Sequence, residues 1–375
     1  MKLITPDFYE NFHCIADKCK DSCCIGWELD IDEETYEYYK SVEGAFGDRL
    51  RAHMKSADDE NECNTFTLNG KRCPFLNDKN LCDIYINLGE ESLCEVCTEY
   101  PRFTVDYSDI LEKSLALSCE EVGRLVFDRT EPLTLVSREI PGTPENDEAM
   151  YVKEIVTARD KAMEIISDRN RSLIDRVGRF MKYVRRLQEF MNIEEEKPGT
   201  LAEGITDINL SDALGKDMIG SFPDVKVIPS DNNEAVEKYN DRMEILSGLE
   251  VLDEEWTNTI SDLNMRFSSS ETYLSDAKKF YETCKERLDI WFEALYNYFI
   301  FRYFTKSVYD CDLLVKAKFA KISCDTIYDM ALARFLSKGR FDVADMIDVA
   351  RIYSKEVEHS EDNLAYLADE LLYNN

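Results

Sequence analysis

The spacing of cysteines constrains this chain more than any other feature of its sequence. The stretch FHCIADKCKDSCCIGW, residues 12–27, carries four of them as Cys14-x4-Cys19-x3-Cys23-Cys24. Five more follow before residue 120, at Cys73, Cys82, Cys94, Cys97 and Cys119. Cysteines gathered in this way either form disulfides in a secreted domain or, in a reducing compartment, bind metal or carry out redox chemistry.

The compartment decides between these uses, and the rest of the sequence indicates a cytoplasmic protein. The segment MKLITPDFYENF has no apolar run after Lys2 and meets an acid at Asp7, so it is not typical of a signal peptide. The most apolar segment, IWFEALYNYFIFRYF, carries Glu293, Asn297 and Arg302 and is too short to span a membrane. We therefore expect no membrane association, and thiolates that are held for a metal.

Charge and composition narrow the class of protein further. The net charge of −31 disfavours binding to phosphate, so a nucleic-acid partner is not expected. The acidic surface either attracts a lysine-rich partner or only keeps the chain soluble. A length of 375 residues with 44% hydrophobic residues allows two or three domains with a substantial core.

We predict a mainly α fold with a Cys-rich, metal-binding N-terminal region that contains a short β-hairpin, followed by a helical C-terminal region. The predicted organisation is a Cys-rich domain at 1–130, a linker at 131–150 and a helical domain at 151–375 with an irregular connection at 195–230. Prolines, glycines and acids concentrate in the two connecting stretches, which is typical of loops and linkers.

In the front part, one helix is predicted directly after the first cysteine block. Asp30 and Glu33 have the spacing of a capping box, and the helix would run to about Val42. Gly44 and Gly47 are predicted to end it.

Two further local patterns accompany the cysteines. The segment TFTLNGKRCPFL predicts two short β-segments around the turn dipeptide Asn69-Gly70. A helix is predicted to begin near Ser118, which would place Cys119 in its first turn, where the helix dipole lowers the pKa of the thiol. Cys63 lies outside the main spacing and is not expected to be a ligand.

Helical periodicity dominates the rear part of the chain. Two helices are predicted to split near Asp168–Asn170, and others are predicted at 234–265, 270–287, 289–304, 307–337, 340–355 and 361–373. Cys284, Cys311 and Cys324 lie singly on these helices and are predicted to be small core residues. Asn297 falls in an apolar stripe and needs a partner, either neighbouring backbone or a ligand pocket that it shares with Arg302.

The pair Cys94-x2-Cys97 has the spacing that lets two thiolates from one turn bind a common metal, either zinc or an iron of a cluster. Redox dithiols share this spacing, but the seven other cysteines nearby favour a metal site. Tyr100 and Arg102 follow closely. They either present a phenol and a guanidinium beside the metal or form a turn with an exposed arginine.

A family resemblance rests on five segments, FHCIADKCKDSCCIGWELDID, CPFLNDKNLCDIY, LGEESLCEVCTEYPRF, SLALSCEE and the distant ALYNYFIFRYF. Together they resemble the flagellin lysine-N-methylases, and the front part also resembles the broader CxxCxxCC zinc- or iron-chelating proteins. The resemblance covers most of the chain and is densest through residues 12–125. It implies an enzyme that transfers a methyl group from S-adenosylmethionine to lysine side chains of flagellin, with a [4Fe-4S] cluster near the site and zinc as the alternative metal.

The resemblance also implies roles for individual residues. The metal candidates are Cys14, Cys19, Cys23, Cys24, Cys73, Cys82, Cys94, Cys97 and Cys119, of which four would bind one cluster. Tyr100 would orient the lysine amine or relay its proton, and Arg102 would bind the carboxylate of the methyl donor. Trp27 would cover the cluster, stack on adenine or pack in the core.

Two familiar methyltransferase patterns are missing from the sequence. It has no Gly-rich loop of a doubly wound nucleotide-binding fold. It also has no Cys-x3-Cys-x2-Cys spacing of radical S-adenosylmethionine enzymes, which argues against a radical route. A non-catalytic zinc- or iron-binding module and a thiol redox protein are the other function classes that stay open.

Overall fold

The computed structural model describes residues 1–26, 29–57, 63–142, 149–207 and 231–373. The front part contains β1 (Lys2–Pro6), β2 (Asp30–Ile31), α1 (Glu33–Ser41), α2 (Gly44–Ala52), β3 (Met54–Lys55), β4 (Asn64–Phe66), α3 (Asp83–Leu88), α4 (Glu95–Glu99), β5 (Arg102–Tyr107), β6 (Ile110–Leu115), α5 (Glu120–Phe127) and β7 (Leu135–Glu139). The rear part contains α6 (Val152–Ser167), α7 (Leu173–Glu194), α8 (Thr200–Asp207), α9 (Asn232–Ser247), α10 (Glu254–Phe267), α11 (Tyr273–Tyr303), α12 (Leu313–Lys338), α13 (Val343–Val357) and α14 (Glu361–Tyr373). The prediction of a mainly α fold with a helical C-terminal region is confirmed.

The predicted capping box at the start of α1 is wrong. Asp30 lies in β2, paired with Thr65, and the cap is Asp32, whose carboxylate accepts a 2.9 Å hydrogen bond from the backbone N–H of Thr35. The helix ends before Val42, as predicted, because Val42 adopts an extended backbone. Gly44 does not end this helix but begins α2.

The turn at Asn69-Gly70 is present, but the predicted two-stranded hairpin is not among the described residues. Asn69 and Arg72 exchange backbone hydrogen bonds of 2.8 and 3.1 Å, and Gly70 supplies the positive φ of +64° that such a tight turn requires. The strand before the turn, β4, pairs instead with β2 and β3. After the turn, Arg72 forms an isolated bridge to Ile25, beside the double cysteine.

A second sheet has the strand order β5-β6-β1-β7. The N-terminal strand β1 runs parallel to β6 and antiparallel to β7. The segment 131–150, predicted as a linker, therefore contributes an edge strand that pairs along the whole of β1. Residues 143–148 of this segment lie outside the described residues.

The predicted break between two long helices at Asp168–Asn170 is confirmed, with Ser172 capping α7. The single helix predicted at 234–265 is wrong, because α9 ends at Ser247 and α10 begins after a new cap at Asp253. The helices predicted at 270–287 and 289–304 are one continuous helix, α11. The irregular connection predicted at 195–230 contains α8, and its remainder from 208 to 230 lies outside the described residues.

Buried apolar side chains form two clusters. The smaller cluster lies in the front part, and its buried members run from Leu29 to Cys94. The larger cluster joins β1, β6 and α5 to the rear helices, from Ile4 to Leu371, so it crosses the predicted domain boundary near residue 130. Cys324 is buried in the larger cluster, and Cys284 and Cys311 pack against it, which confirms their prediction as core residues.

Asn297 is fully buried, and the partner of its side-chain amide is a hydroxyl rather than the neighbouring backbone. Its side-chain amide donates a 3.0 Å hydrogen bond to the hydroxyl of Ser167, at the end of α6. Arg302 lies five residues further along α11 and binds Glu358 instead. The asparagine therefore ties α11 to α6 and does not belong to the residues around Arg302.

In the described part of the chain, no helix combines the length and the hydropathy that a bilayer crossing needs.

Candidate functional site

Five of the nine clustered cysteines, Cys24, Cys73, Cys82, Cys94 and Cys97, pack on the smaller apolar cluster of the front part. Turns and helix starts place them there. The backbone N–H of Cys73 donates to the carbonyl of Cys24 at 2.8 Å, and Cys82 is the residue before α3. Cys94 directly precedes α4, and its carbonyl accepts a 3.0 Å hydrogen bond from the N–H of Cys97. The two thiols of the Cys-x2-Cys pair therefore come from one turn, as predicted.

The other four cysteines, Cys14, Cys19, Cys23 and Cys119, lie near the start of α5. Cys119 directly precedes α5, and Glu120 accepts a 2.7 Å hydrogen bond from the backbone N–H of Lys20. This contact ties the loop after Cys19 to the start of α5. The charge of Cys119 raises the pKa of Cys19 in addition to the larger effect of burial and the effect of Glu120, so these two thiols are close neighbours.

Two pairs of thiols are hydrogen-bonded, and one of these pairs connects the two groups. The thiol of Cys23 donates to that of Cys24, which raises the pKa of Cys23 and lowers that of Cys24 to about 7. In the same way, the thiol of Cys97 donates to that of Cys94, which raises the pKa of Cys97 and lowers that of Cys94. The charges of Cys23 and Cys24 also act on Cys97. The structure therefore brings thiols from distant segments into one neighbourhood.

The prediction of a lowered pKa at Cys119 is wrong. Burial raises the pKa of Cys119 to about 11, and the N–H groups at the start of α5 offset this only in part. Burial likewise raises the pKa of Cys19 and of Cys73 to about 12. These thiols would remain protonated at neutral pH, and a bound metal cation would favour their thiolate forms.

The positions of the described side chains show how far the cysteines meet the requirements of a metal site. Within them, no three His, Cys, Asp or Glu side chains converge closely enough to hold a metal ion in the present conformation. None of the described cysteines forms a disulfide, and two pairs are in thiol–thiol contact. The donor set therefore fits a thiophilic metal or an iron–sulfur cluster in its chemistry. Binding requires the sulfurs to draw together, and the metal site stays a prediction.

Tyr100 begins a hydrogen-bonded chain that leads to the rear part. Its hydroxyl lies 3.1 Å from that of Ser118, which lies 2.7 Å from Nε2 of His359. The rings of Tyr100 and His359 are 6.0 Å apart. The chain therefore links the turn after Cys97, the residue before Cys119 and the segment after α13.

A buried ionic network continues from this chain. Arg302 on α11 lies 3.0 Å from Glu358, and its guanidinium stacks 3.7 Å from the ring centre of Phe103. Tyr298 and Tyr303 donate hydrogen bonds of 2.9 and 2.8 Å to the same carboxylate. The N–H of Leu117 bonds the hydroxyl of Tyr298 at 3.3 Å, which brings the network to the Cys119 segment.

The sequence analysis missed several of these residues. Ser118 was considered only as the start of a helix, and Glu358 and His359 carried no local signal because they follow an ordinary amphipathic helix. Tyr298 and Arg302 are four residues apart on one helix face, a spacing that does indicate contact.

Arg102 does not belong to this chain of contacts. The Arg102 guanidinium lies 5.2 Å from the ring centre of Phe12 and makes a long 3.4 Å hydrogen bond to the carbonyl of Thr98. It is partly buried and lies at the start of β5. Trp27 lies outside the described residues, so its predicted roles stay predictions.

A cavity of about 430 Å³ opens beside the segments of Cys19 and Cys119. Its lining includes Lys20, Asp21, Glu120, Arg124, Ile347 and Arg351. Burial alone would raise the pKa of Glu120, but the N–H of Lys20 and the guanidinium of Arg124 lower it, so this carboxylate stays charged. The volume is within the range of small-molecule sites in proteins.

We predict that His359 makes the protein less stable in mild acid. Burial, with the positive charges of Arg302 and Lys355, lowers the pKa of His359 to about 3, below its usual value of about 6.5. The unfolded chain takes up this proton below about pH 6.5 and the folded protein does not. The free energy of unfolding is therefore unaffected by His359 above that pH. It decreases as the pH falls, by up to about 2 kcal/mol between about pH 7 and about pH 5.

Urea unfolding of wild type and His359→Gln at the two pH values measures this effect. We expect the variant to show a weaker fall in its midpoint. His13→Gln removes an exposed histidine and should keep the wild-type pH dependence. Equal pH dependence in wild type and His359→Gln would contradict the prediction.

Comparison with known proteins places the chain in a family. The family described as the FliB lysine N-methylase C-terminal domain matches residues 159–375, which is more than half of the chain. The chain belongs to this family. The resemblance to the flagellin lysine-N-methylases is thereby confirmed at the level of family, and the FliB C-terminal domain of this chain includes Arg302, Arg351 and His359.

Individual relatives agree with this family. The Lysine-N-methylase of Salmonella choleraesuis (strain SC-B67) is 25% identical over 238 residues, which are 60% of this chain and 59% of the relative. The Lysine-N-methylase of Salmonella typhimurium is 24% identical over the same length. The Flagellar biosynthetic protein FliU of Salmonella muenchen is 29% identical over 143 residues, which are 36% of this chain and 84% of that protein. The chain thus spans 59% of the length of the two lysine-N-methylases. No solved structure matches it.

Proposed function

We propose that this protein is an S-adenosylmethionine-dependent protein-lysine N-methyltransferase that acts on flagellin. The observation that carries the proposal is the set of nine clustered cysteines, of which Cys23 and Cys24 lie near Cys97 although they come from distant segments, in a chain that belongs to the FliB family. The names of the relatives, Lysine-N-methylase and Flagellar biosynthetic protein FliU, support the reaction and the flagellar substrate. We also infer that it works in the cytoplasm, where flagellin is still unassembled.

The nine cysteines would hold a [4Fe-4S] cluster, with zinc as the alternative metal. The two thiol pairs, Cys23 with Cys24 and Cys94 with Cys97, are the first candidates for its ligands because their sulfurs are already in contact. When bound, such a cluster would supply an iron site that can anchor the amine and carboxylate of the methyl donor. Cys119 lies near Cys23, and Cys19 lies near Cys119, so these two thiols would complete or replace the pairs.

The lysine amine must lose its proton before it can react. In a polar transfer, the bond from the lysine nitrogen to the methyl carbon forms as the sulfur–methyl bond of the sulfonium breaks, and S-adenosylhomocysteine leaves. The residues of the chain therefore have to orient an uncharged amine and keep water away from it.

We assign the orientation of the amine to Tyr100. Burial, with the charge of Cys119, raises the pKa of Tyr100, so its phenol stays protonated. The hydroxyl of Ser118 fixes this phenol through a hydrogen bond of 3.1 Å, and His359 holds Ser118 in place through one of 2.7 Å. Because the pKa of His359 is low, this histidine is a weak base. These hydrogen-bonded side chains are therefore better suited to orienting the amine than to accepting its proton.

We propose that the cavity between α5 and α13, whose lining does not include Tyr100, holds the charged lysine side chain of the substrate before methyl transfer. Ile347 offers an apolar wall for the methylene groups, and Asp21 and Glu120 offer carboxylates for the amine end. The cavity lies beside the segments of Cys19 and Cys119. A lysine bound there would be close to the proposed cluster.

We predict that Tyr100→Phe lowers kcat for methylation about a hundredfold, because the amine would lose its orienting hydroxyl. The assay measures transfer of labelled methyl groups from S-adenosylmethionine to flagellin. Tyr85→Phe removes the hydroxyl of an exposed tyrosine in the front part and should leave kcat unchanged. Full activity in Tyr100→Phe would refute the role of Tyr100.

The experiment that tests the proposed function is anaerobic purification with iron, sulfide and zinc analysis and an absorption spectrum. We expect about four irons and four sulfides per chain and a spectrum that changes when S-adenosylmethionine is added. Methyl transfer to flagellin is then assayed on the same sample. Zinc alone, with no response to S-adenosylmethionine and no transfer, would refute the enzyme and favour a zinc-binding module.

A further inference from the structure

The loop between Cys19 and Cys23 is held by two cations of the FliB C-terminal domain. The carboxylate of Asp21 lies 2.6 Å from Nη1 of Arg351 and 3.4 Å from Nζ of Lys355. Both cations belong to α13, and their side chains are only 8% and 7% exposed. The contacts join residues that are 330 and 334 positions apart in the sequence.

The two cations are themselves held in place. Arg351 also binds Glu255 and Asp348 at 3.1 and 3.0 Å, and Lys355 lies 3.3 Å from Asp253. Each therefore keeps an anionic partner when Asp21 is neutralised. Such fixed and largely buried partners restrict a loop more than an exposed ion pair does.

The backbone beside the double cysteine fits closely against the same helix. Gly26 has a φ of +101°, and a Cβ at this position would lie 2.8 Å from Nζ of Lys355. The segment has little regular structure of its own beyond one 3-10 turn at Ala16–Lys18, and its backbone is tied to other segments by bonds from Lys20 to Glu120, from Cys73 to Cys24 and from Gly26 to Lys71. The position of its sulfurs therefore depends on contacts outside the loop.

We propose that Arg351 and Lys355 are positioning residues for the metal centre. Through Asp21 they hold the segment of Cys19, Cys23 and Cys24 against Cys97 and Cys119, so the C-terminal domain sets how firmly the front part retains its metal. This inference rests on the proposed function in assuming a cysteine-bound metal. Partners of metal ligands typically change metal affinity by about tenfold to a hundredfold when they are replaced.

The test uses the full-length protein and the isosteric variant Asp21→Asn. Release of iron or zinc to a chelator is followed by absorbance, and we expect release from the variant to be about tenfold faster than from wild type. Asp17→Asn neutralises an exposed acid just before Cys19 and should release metal at the wild-type rate. Equal release from Asp21→Asn and wild type would overturn the proposal and leave the proposed function intact.

A second readout does not depend on bound metal. Alkylation of metal-free protein, mapped by mass spectrometry, should be faster at Cys19, Cys23 and Cys24 in Asp21→Asn and unchanged at Cys284. Unchanged alkylation at the three loop cysteines would overturn the positioning role. If wild type binds no metal at all, the proposed function fails, and a positioning role for a metal centre fails with it.

The variant Lys355→Met distinguishes a positioning role of Lys355 from a role in the stability of the fold. It removes one of the two cations while Arg351 keeps its partners, and its thermal unfolding is compared with that of wild type. We expect faster metal release at nearly the wild-type unfolding temperature. Metal release that speeds up only in variants with a lowered unfolding temperature would show a merely structural contact and overturn the proposal.

Discussion

We expect the double variant Cys94→Ser/Cys97→Ser to bind at least about tenfold less metal than wild type. The two thiols come from one turn at the start of α4 and are already in hydrogen-bond contact. A serine hydroxyl does not ionise near neutral pH and cannot replace a thiolate ligand. Iron, sulfide and zinc per chain, measured after anaerobic purification, give the result.

The matched control is Cys63→Ser, which removes an exposed thiol of the front part from outside the nine-cysteine set. It should bind metal like wild type. Because Cys94 is buried, circular dichroism of both variants checks that the fold is kept. Full metal content in the double variant would exclude this pair as ligands and direct attention to Cys14, Cys19, Cys23 and Cys119.

The second large effect is on stability. We expect Arg302→Met to lower the free energy of unfolding by about 3–5 kcal/mol, because it leaves the charge of Glu358 buried without its cation. The side chains of Arg302 and Glu358 are 6% and 0% exposed, so water cannot solvate the remaining charge. Urea unfolding of the metal-free protein, followed by fluorescence and circular dichroism together, measures the change and tests for intermediates.

The double variant Arg302→Met/Glu358→Gln should recover part of this loss, because it removes the unpaired charge as well. Arg340→Met is the matched control. Arg340 pairs with Asp342 at the surface with its side chain 75% exposed, and its replacement should stay within about 0.5 kcal/mol of wild type. A single Arg302 variant as stable as this control would contradict the buried-charge argument.

Much of the local structure could be predicted because it depends on neighbouring residues. Helical periodicity located most of the rear helices and the break at 168–170, since an amphipathic face is visible within a few turns. The misplaced boundaries have local causes as well. Asp32 rather than Asp30 caps α1, because Asp30 lies in a strand. Asp253 caps the start of α10, which the helical periodicity did not separate from α9.

The candidate site could be predicted only in part. Spacing identified the Cys-x2-Cys pair and pointed to Tyr100, which the structure does place in a hydrogen-bonded chain. It could not give the pKa of Cys119, because burial by distant segments outweighs the local effect of the helix start. It also could not pair Asn297 with Ser167, 130 residues away.

By itself, the sequence determined the set of thiols, the mainly helical rear part and the family, because these are properties of residue identity and short spacing. Only the tertiary structure decided which segments meet. Ser118 bonds His359 across 241 positions, and Asp21 binds Arg351 across 330. Such contacts leave no periodic trace in the sequence, because they depend on how the helices pack and on which buried charges require a partner.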